Sequence, residues 1–186
     1  MEPYIKGFQH FLIQQLTKES ESDKNVASNI MRHWLDQYID DVGRTAKPPS
    51  TYEDGSVYTG QWLNGMRDGY GTITWADGER YKGEFEKEQR AGLGAAQYES
   101  GETYEGKYLA DQRHGFGCYR WPTGAKYDGQ YVNGQREGAG TFNYANGSVY
   151  IGQFKANKKH GVGIYIDEDG TPAMGMFEGD QLIKWF

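Results

Sequence analysis

A tyrosine returns every 23 residues in this chain, at Tyr58, Tyr81, Tyr104, Tyr127 and Tyr150. Two positions after each stands a glycine, Gly60, Gly83, Gly106, Gly129 and Gly152, and two further on an aromatic ring, Trp62, Phe85, Tyr108, Tyr131 and Phe154. Nine residues past each of those glycines a G-x-G pair begins, at Gly69, Gly92, Gly115, Gly138 and Gly161. A turn glycine recurs at Gly55, Gly78, Gly101, Gly124, Gly147 and Gly170, and a sixth, partial copy keeps Gly175 and Phe177 but has Ala173 where the tyrosine would fall. These columns hold 22 of the 27 glycines, so the register and not mere glycine richness carries the signal. A short fixed period means stacked units, none of which can bury its own apolar face alone.

Within each copy the pattern alternates with period 2, as in Tyr58-x-Gly60-x-Trp62 and Gly69-x-Gly71-x-Ile73-x-Trp75, which makes each copy a β-hairpin. A six-residue tip from Leu63 to Asp68 would set Trp62 opposite Gly69, Gly60 opposite Gly71 and Tyr58 opposite Ile73. Between copies, a two-residue Asp77-Gly78 loop would throw the ring of Tyr81 to the wrong face. A three-residue loop with Gly78 left-handed sets Tyr81 opposite Ile73, and this loop is expected. The fold class that follows is mainly β: an elongated, single-layer antiparallel array of hairpins, advancing about 10 Å per repeat. One face carries a ladder of aromatics. The other is largely polar, with Gln61, Glu84, Lys107, Gln130 and Gln153 in one column. Residues 1–46 lack the period and read as a helical hairpin with its linker, because Ile5, Phe8, Leu12 and Leu16, then Val26, Ile30, Trp34 and Tyr38, fall at helical spacing. The Lys47-Pro48-Pro49-Ser50 stretch reads as part of the linker, and residues 47–186 as the array. The helices either fold back to cap the first repeats or dock on another chain.

Composition narrows the function. No apolar run exceeds three residues, as at Phe11-Leu12-Ile13, so neither a membrane span nor a signal peptide is expected. A lone Cys118 fits a reducing, cytoplasmic setting. Residues 51–186 hold 14 cations against 19 anions, a net −5, which disfavours nucleic acid and anionic membranes as partners. His114 and His160 share a repeat column with Asp68, Ala91 and Glu137, and a column that accepts alanine has no fixed chemistry. His10 and His33 have no partner at ligand spacing, so no metal is expected. Cys118 has no His/Asn arrangement around it in the sequence, and the G-x-G pairs lack the third glycine and the helix of a dinucleotide site. No catalytic residue and no cofactor is expected.

Two features point to binding. The aromatic face forms a groove, and Tyr81, Phe85, Tyr104, Tyr108, Trp121, Tyr127, Tyr131 and Tyr144 are the candidate contacts for a partner. Arg67, Arg90, Arg113, Arg136 and Lys159 recur at the period as a cationic strip, which either packs its stems on neighbouring rings or donates to acidic side chains or lipid phosphates. Trp62, Trp75 and Trp121 could also stack on sugar rings.

The pattern Y-x-G-x-W-x-x-G-x-x-x-G-x-G followed by a D-G turn resembles the MORN repeat (membrane occupation and recognition nexus), from about Thr51 to Phe177. The resemblance implies a non-enzymatic scaffold that holds a helix or extended peptide of another protein in its groove, or a subunit of a cytoskeletal, ciliary or axonemal assembly. Its alternative implication is a peripheral phospholipid-binding module. Members that are enzymes carry an attached kinase or methyltransferase domain, and none is recognisable here.

Overall fold

The structure, a computed structural model, describes residues 43–186. The helical hairpin expected before them lies outside the described residues. Among the described residues every regular element is a strand, and thirteen strands follow one another in chain order through a single open antiparallel sheet. The first strands of the five full repeats are β2 (Val57–Leu63), β4 (Arg80–Glu86), β6 (Thr103–Leu109), β8 (Lys126–Val132) and β10 (Val149–Lys155). Their second strands are β3 (Met66–Thr74), β5 (Gln89–Gln97), β7 (Gln112–Arg120), β9 (Gln135–Asn143) and β11 (Lys158–Ile166). β12 (Pro172–Glu178) and β13 (Gln181–Trp185) make the sixth, incomplete copy, and β1 (Thr45–Thr51) forms the other edge. The stretch from Lys47 to Ser50, expected as linker, is built into β1. Its two prolines fall where the pairing with β2 skips, between Lys47 and Ser50, so their missing N–H groups interrupt no ladder bond.

The turns between repeats follow the expected geometry. Trp75 N–H donates to the Glu79 carbonyl (2.8 Å) and Gly78 N–H to the Trp75 carbonyl (3.0 Å), leaving Ala76, Asp77 and Gly78 as the loop. Gly78 has φ 94°, and Tyr81 pairs with Ile73. The asparagine or aspartate before the turn glycine helps close the loop. Asp54, Asp77 and Asn146 each accept the N–H two residues on.

The hairpin tips differ from expectation. Tyr58 faces Ile73 and Gly60 faces Gly71, but Trp62 faces Arg67 and Leu63 faces Met66 across a two-residue turn. That turn is tight because Asn64 (φ 52°) and Gly65 (φ 83°) are both left-handed, the geometry that matches strand twist. The surplus is taken up as a bulge, in which Asp68, Gly69 and Tyr70 oppose the single residue Gln61. Two extra residues, an even number, keep the aromatic residues on one face. Gly69 is left-handed at this bulge (φ 94°), as are its counterparts in the other four repeats. The polar column of the opposite face closes it, since Gln61 Oε1 accepts from Tyr70 N–H (2.7 Å), Glu84 Oε1 from Leu93 N–H (2.7 Å) and Gln130 Oε1 from Ala139 N–H (3.1 Å).

The core lies within one face of this one sheet. Tyr58, Tyr81, Tyr104, Tyr127 and Tyr150 have no exposed surface. Each ring lies across the facing glycine pair, and its hydroxyl donates to the carbonyl three residues on, Tyr104 to Lys107 at 2.9 Å and Tyr127 to Gln130 at 3.1 Å. A Cβ built on Gly117 would sit 2.5 Å from Cε2 and Cζ of the Tyr104 ring, inside any tolerable contact. By contrast a Cβ on the turn residue Gly124 (φ 90°) meets nothing within 4 Å. Gly117→Ala should therefore lower the unfolding free energy by about 3 kcal/mol through overpacking, and Gly124→Ala by about 1 kcal/mol through backbone strain alone. Urea unfolding followed by circular dichroism measures both, and equal losses would show that the ring does not rest on the glycines.

Candidate functional site

The aromatic face has two rows of rings with a row of cations between them. In the inner row each tyrosine makes an edge-to-face contact with the ring four residues on and with the corresponding ring of the next repeat. Tyr81 meets Phe85 at 5.2 Å and Tyr108 at 5.1 Å, and Tyr104 meets Tyr108 at 5.2 Å and Tyr131 at 5.3 Å. The chain of contacts runs from Trp62 to Trp185 along the array. Each such pair contributes about 0.5–1.5 kcal/mol beyond the area it buries. The outer row comes from the residues two and four past each second G-x-G glycine: Tyr119 lies 4.5 Å from Trp121, Trp121 5.3 Å from Phe142, and Phe142 4.5 Å from Tyr144. These outer rings are only partly buried.

The cations bridge the rows. The Arg113 guanidinium lies over Tyr104 (5.8 Å) and Tyr131 (5.3 Å) of the inner row and Tyr119 (5.0 Å) of the outer. Arg136 lies over Tyr127, Phe154, Phe142 and Trp121, and Lys159 over Tyr150, Phe177 and Tyr144. Packing on rings, one of the two roles expected for the strip, thus holds at every member. A second set of partners comes from the next repeat's hairpin turn, 21 residues on. Glu88 accepts from the Arg67 backbone N–H (2.5 Å) and Nε–H (2.7 Å), and Asp111 does the same for Arg90 at 2.9 and 3.0 Å. Arg44, one period ahead of Arg67, pairs instead with Asp68 at 2.6 Å. Burial alone would raise the Asp68 carboxyl, but the Lys87 N–H and the Arg44 guanidinium outweigh it and hold the group below the usual carboxylate range.

The eight rings expected to contact a partner divide by depth. Tyr81, Phe85, Tyr104, Tyr108, Tyr127 and Tyr131 are buried by the sheet's own packing, whereas Trp121 and Tyr144 stand in the partly exposed outer row. Sequence reasoning passed over Tyr98, Tyr119, Phe142 and Tyr165, their neighbours in that row, and named Trp75 only as a ring that could stack on sugars. Their signal was present, since the columns through Tyr119 and Trp121 recur at the same 23-residue period. The opposite face carries exposed Leu93, Leu109, Phe116 and Val132 in the middle of the array. Among the described residues no three His, Cys, Asp or Glu side chains converge as a metal site. Burial, with Asp128 beside it, pushes the Cys118 thiol up to about 12, so at neutral pH it is not a thiolate nucleophile.

The MORN repeat family matches residues 58–80, 104–126, 127–149 and 150–171. This is a MORN-repeat protein. The copy at 81–103 falls outside the matched stretches, yet its strands β4 and β5 hold the same register as the other MORN hairpins. No curated protein matches the chain. Among solved structures, the TCP domain of SAS-4 (dCPAP) of Drosophila melanogaster, in complex with a proline-rich motif of Ana2 (dSTIL), is 14% identical over 76% of this chain and 77% of that chain, with a TM-score of 0.45. The TCP10 domain of Danio rerio CPAP is 11% identical over 76% of this chain and 84% of that chain, with a TM-score of 0.28. Among the described residues no helix is long and apolar enough to cross a membrane.

Burial raises the phenol pKa of the MORN tyrosines Tyr58, Tyr81, Tyr104 and Tyr127, and the arginine over each ring opposes the shift only in part. A raised folded-state pKa gives stability that is complete below the unfolded value, about 10, and that is lost as pH climbs above it. Stability should therefore be flat from about pH 7 to 9 and fall above about pH 10. The tyrosinate absorbance of the inner row should emerge only together with loss of the β dichroism. Ionisation of these tyrosines within an intact sheet would contradict the burial.

Proposed function

We propose that this MORN-repeat protein is a non-catalytic scaffold that docks a helix or extended segment of another protein against the outer aromatic row of its sheet. The observation that carries this reading is the unbroken run of partly exposed rings from Tyr98 through Tyr119, Trp121, Phe142 and Tyr144 to Tyr165, laid on a rigid inner ladder. Amphipathic rings with few rotamers, already held in place by neighbours, lose little entropy on binding, which is why Tyr and Trp dominate interface energies. The six buried rings of the inner row act as the support for that surface. The family resemblance also implies a second role, as a structural subunit of an assembly of the cytoskeletal, ciliary or axonemal kind. The phospholipid reading draws on the same cation column, but the array's net −5 and the carboxylates already bound to Arg67 and Arg90 weigh against it.

Replacing Trp121 and Tyr144 together by Ala should remove most of the partner captured from native cells while the β dichroism persists. Tyr108→Ser should instead cost about 3–5 kcal/mol of stability. Vesicles rich in phosphatidylserine should bind weakly at physiological salt. Undiminished capture by the double variant would move the interface off this face, and robust vesicle binding would promote the lipid reading.

A further inference from the structure

The side-chain acceptors that serve the cation column are interrupted at one repeat. Arg67 and Arg90 each give both a backbone N–H and an Nε–H to a turn carboxylate 21 residues on. At Arg113 the residue in that place is Gly134, which supplies no side chain, and its carbonyl accepts only from the Arg113 Nη2 (3.1 Å). Among the described residues the backbone N–H of Arg113 meets no side-chain acceptor and the guanidinium has no ion pair; besides the Gly134 carbonyl, the guanidinium meets the Tyr119 hydroxyl. Glu137, in the place from which Asp68 serves Arg44, gives its carboxylate to the Ala156 N–H (2.9 Å). Space is present as well as charge, because a Cβ on Gly134 meets nothing within 4 Å. Arg113 itself is half-buried beside the outer ring Tyr119.

We infer that the backbone N–H and Nε–H of Arg113, which lack the carboxylate their counterparts hold, form a cradle for an Asp or Glu side chain of the docked polypeptide. The chain itself displays the bound form twice, in Glu88 on Arg67 and Asp111 on Arg90. A carboxylate in this cradle would receive two charge-assisted hydrogen bonds over an aromatic floor, where the surroundings are drier than bulk water. The neighbouring Arg136 adds positive charge about 10 Å along the array; its backbone N–H is taken by Asn157 Oδ1, and its guanidinium pairs with no carboxylate among the described residues. The occupant is therefore an acidic segment. This inference rests on the docking reading above and specifies its partner.

The probe is acetyl-Gly-Glu-Gly-amide, with acetyl-Gly-Gln-Gly-amide as control, titrated into the full chain while arginine Nε–H and backbone amide resonances are followed by NMR. The Glu peptide should shift both Arg113 signals and leave those of Arg67 and Arg90 in place, and the Gln peptide should do neither. Gly134→Asp should abolish the response by supplying the carboxylate internally; the backbone admits it, since Asp111 has φ 65° and Asp180 has φ 73° at the matching positions. Asp111→Gly should transfer the response to Arg90. A response equal for the two peptides, one that survives Gly134→Asp, or none at all would overturn the inference. So would co-flotation with phosphatidylserine vesicles that Gly134→Asp removes while the peptide gives no shift, since that assigns the cradle to phosphate. In capture experiments Gly134→Asp should weaken the partner by roughly ten-fold. Capture lost in the Trp121/Tyr144 variant but intact in Gly134→Asp would refute the carboxylate alone. Capture intact in the ring variant would refute the docking reading.

Discussion

A tyrosine ring laid across two facing glycines is the interaction from which the remaining packing follows. One layer of sheet normally has no second layer to bury against. Here the glycines remove the side chains that would hold the ring off the backbone, so the ring reaches the sheet surface and its hydroxyl finds the carbonyl three residues on. Its outer side is then closed by two rings and a guanidinium, as at Tyr58 under Trp62, Phe85 and Arg67. Buried area that other folds obtain between layers is obtained between consecutive repeats. Pairing through the ring of the next copy also makes each repeat depend on its neighbour, which is the nearest-neighbour coupling of a linear array.

Much of this was legible because the period exposes it. The tyrosine and glycine columns gave the hairpin, the face of each ring, and the three-residue loop that keeps Tyr81 opposite Ile73. The tip was misjudged because a six-residue loop and a two-residue turn with an even-numbered bulge put Tyr58, Gly60 and Trp62 on the same face, so facial alternation does not separate them. The deciding detail was local: Asn64-Gly65 is a turn pair that accepts left-handed geometry at both positions. Which rings stay accessible was not readable either. Tyr108 and Trp121 are both aromatic on the same face, and only the position of the cation row tells that one lies beneath it and the other beside it.

The sequence also concealed why the turn residues vary. Lys87-Glu88 and Ala110-Asp111 occupy left-handed positions that disfavour side chains, at about 1–2 kcal/mol per residue. In each pair the second residue offsets part of that cost by giving its carboxylate to the arginine of the previous repeat. Asn133-Gly134 avoids most of the strain and forgoes the ion pair. Both solutions hold the same hairpin register, so the fold accommodates either turn pair.

That shared register separates the invariant packing of this face from its variable turn residues. The inner ladder and its glycines are fixed by contacts on every side, and a change there propagates into both neighbouring repeats. The turn residue 21 positions after each cation of the strip bonds to that cation, and where it is Gly134 in place of a carboxylate the Arg113 guanidinium still lies over Tyr104, Tyr119 and Tyr131. In a linear array such a change stays local, because each repeat feels only its neighbours. A repeating sheet can in this way leave one cation without a side-chain partner from its turn, beside partly buried rings. Repeats of one fold thus differ in the charge they present according to the residue at that turn position.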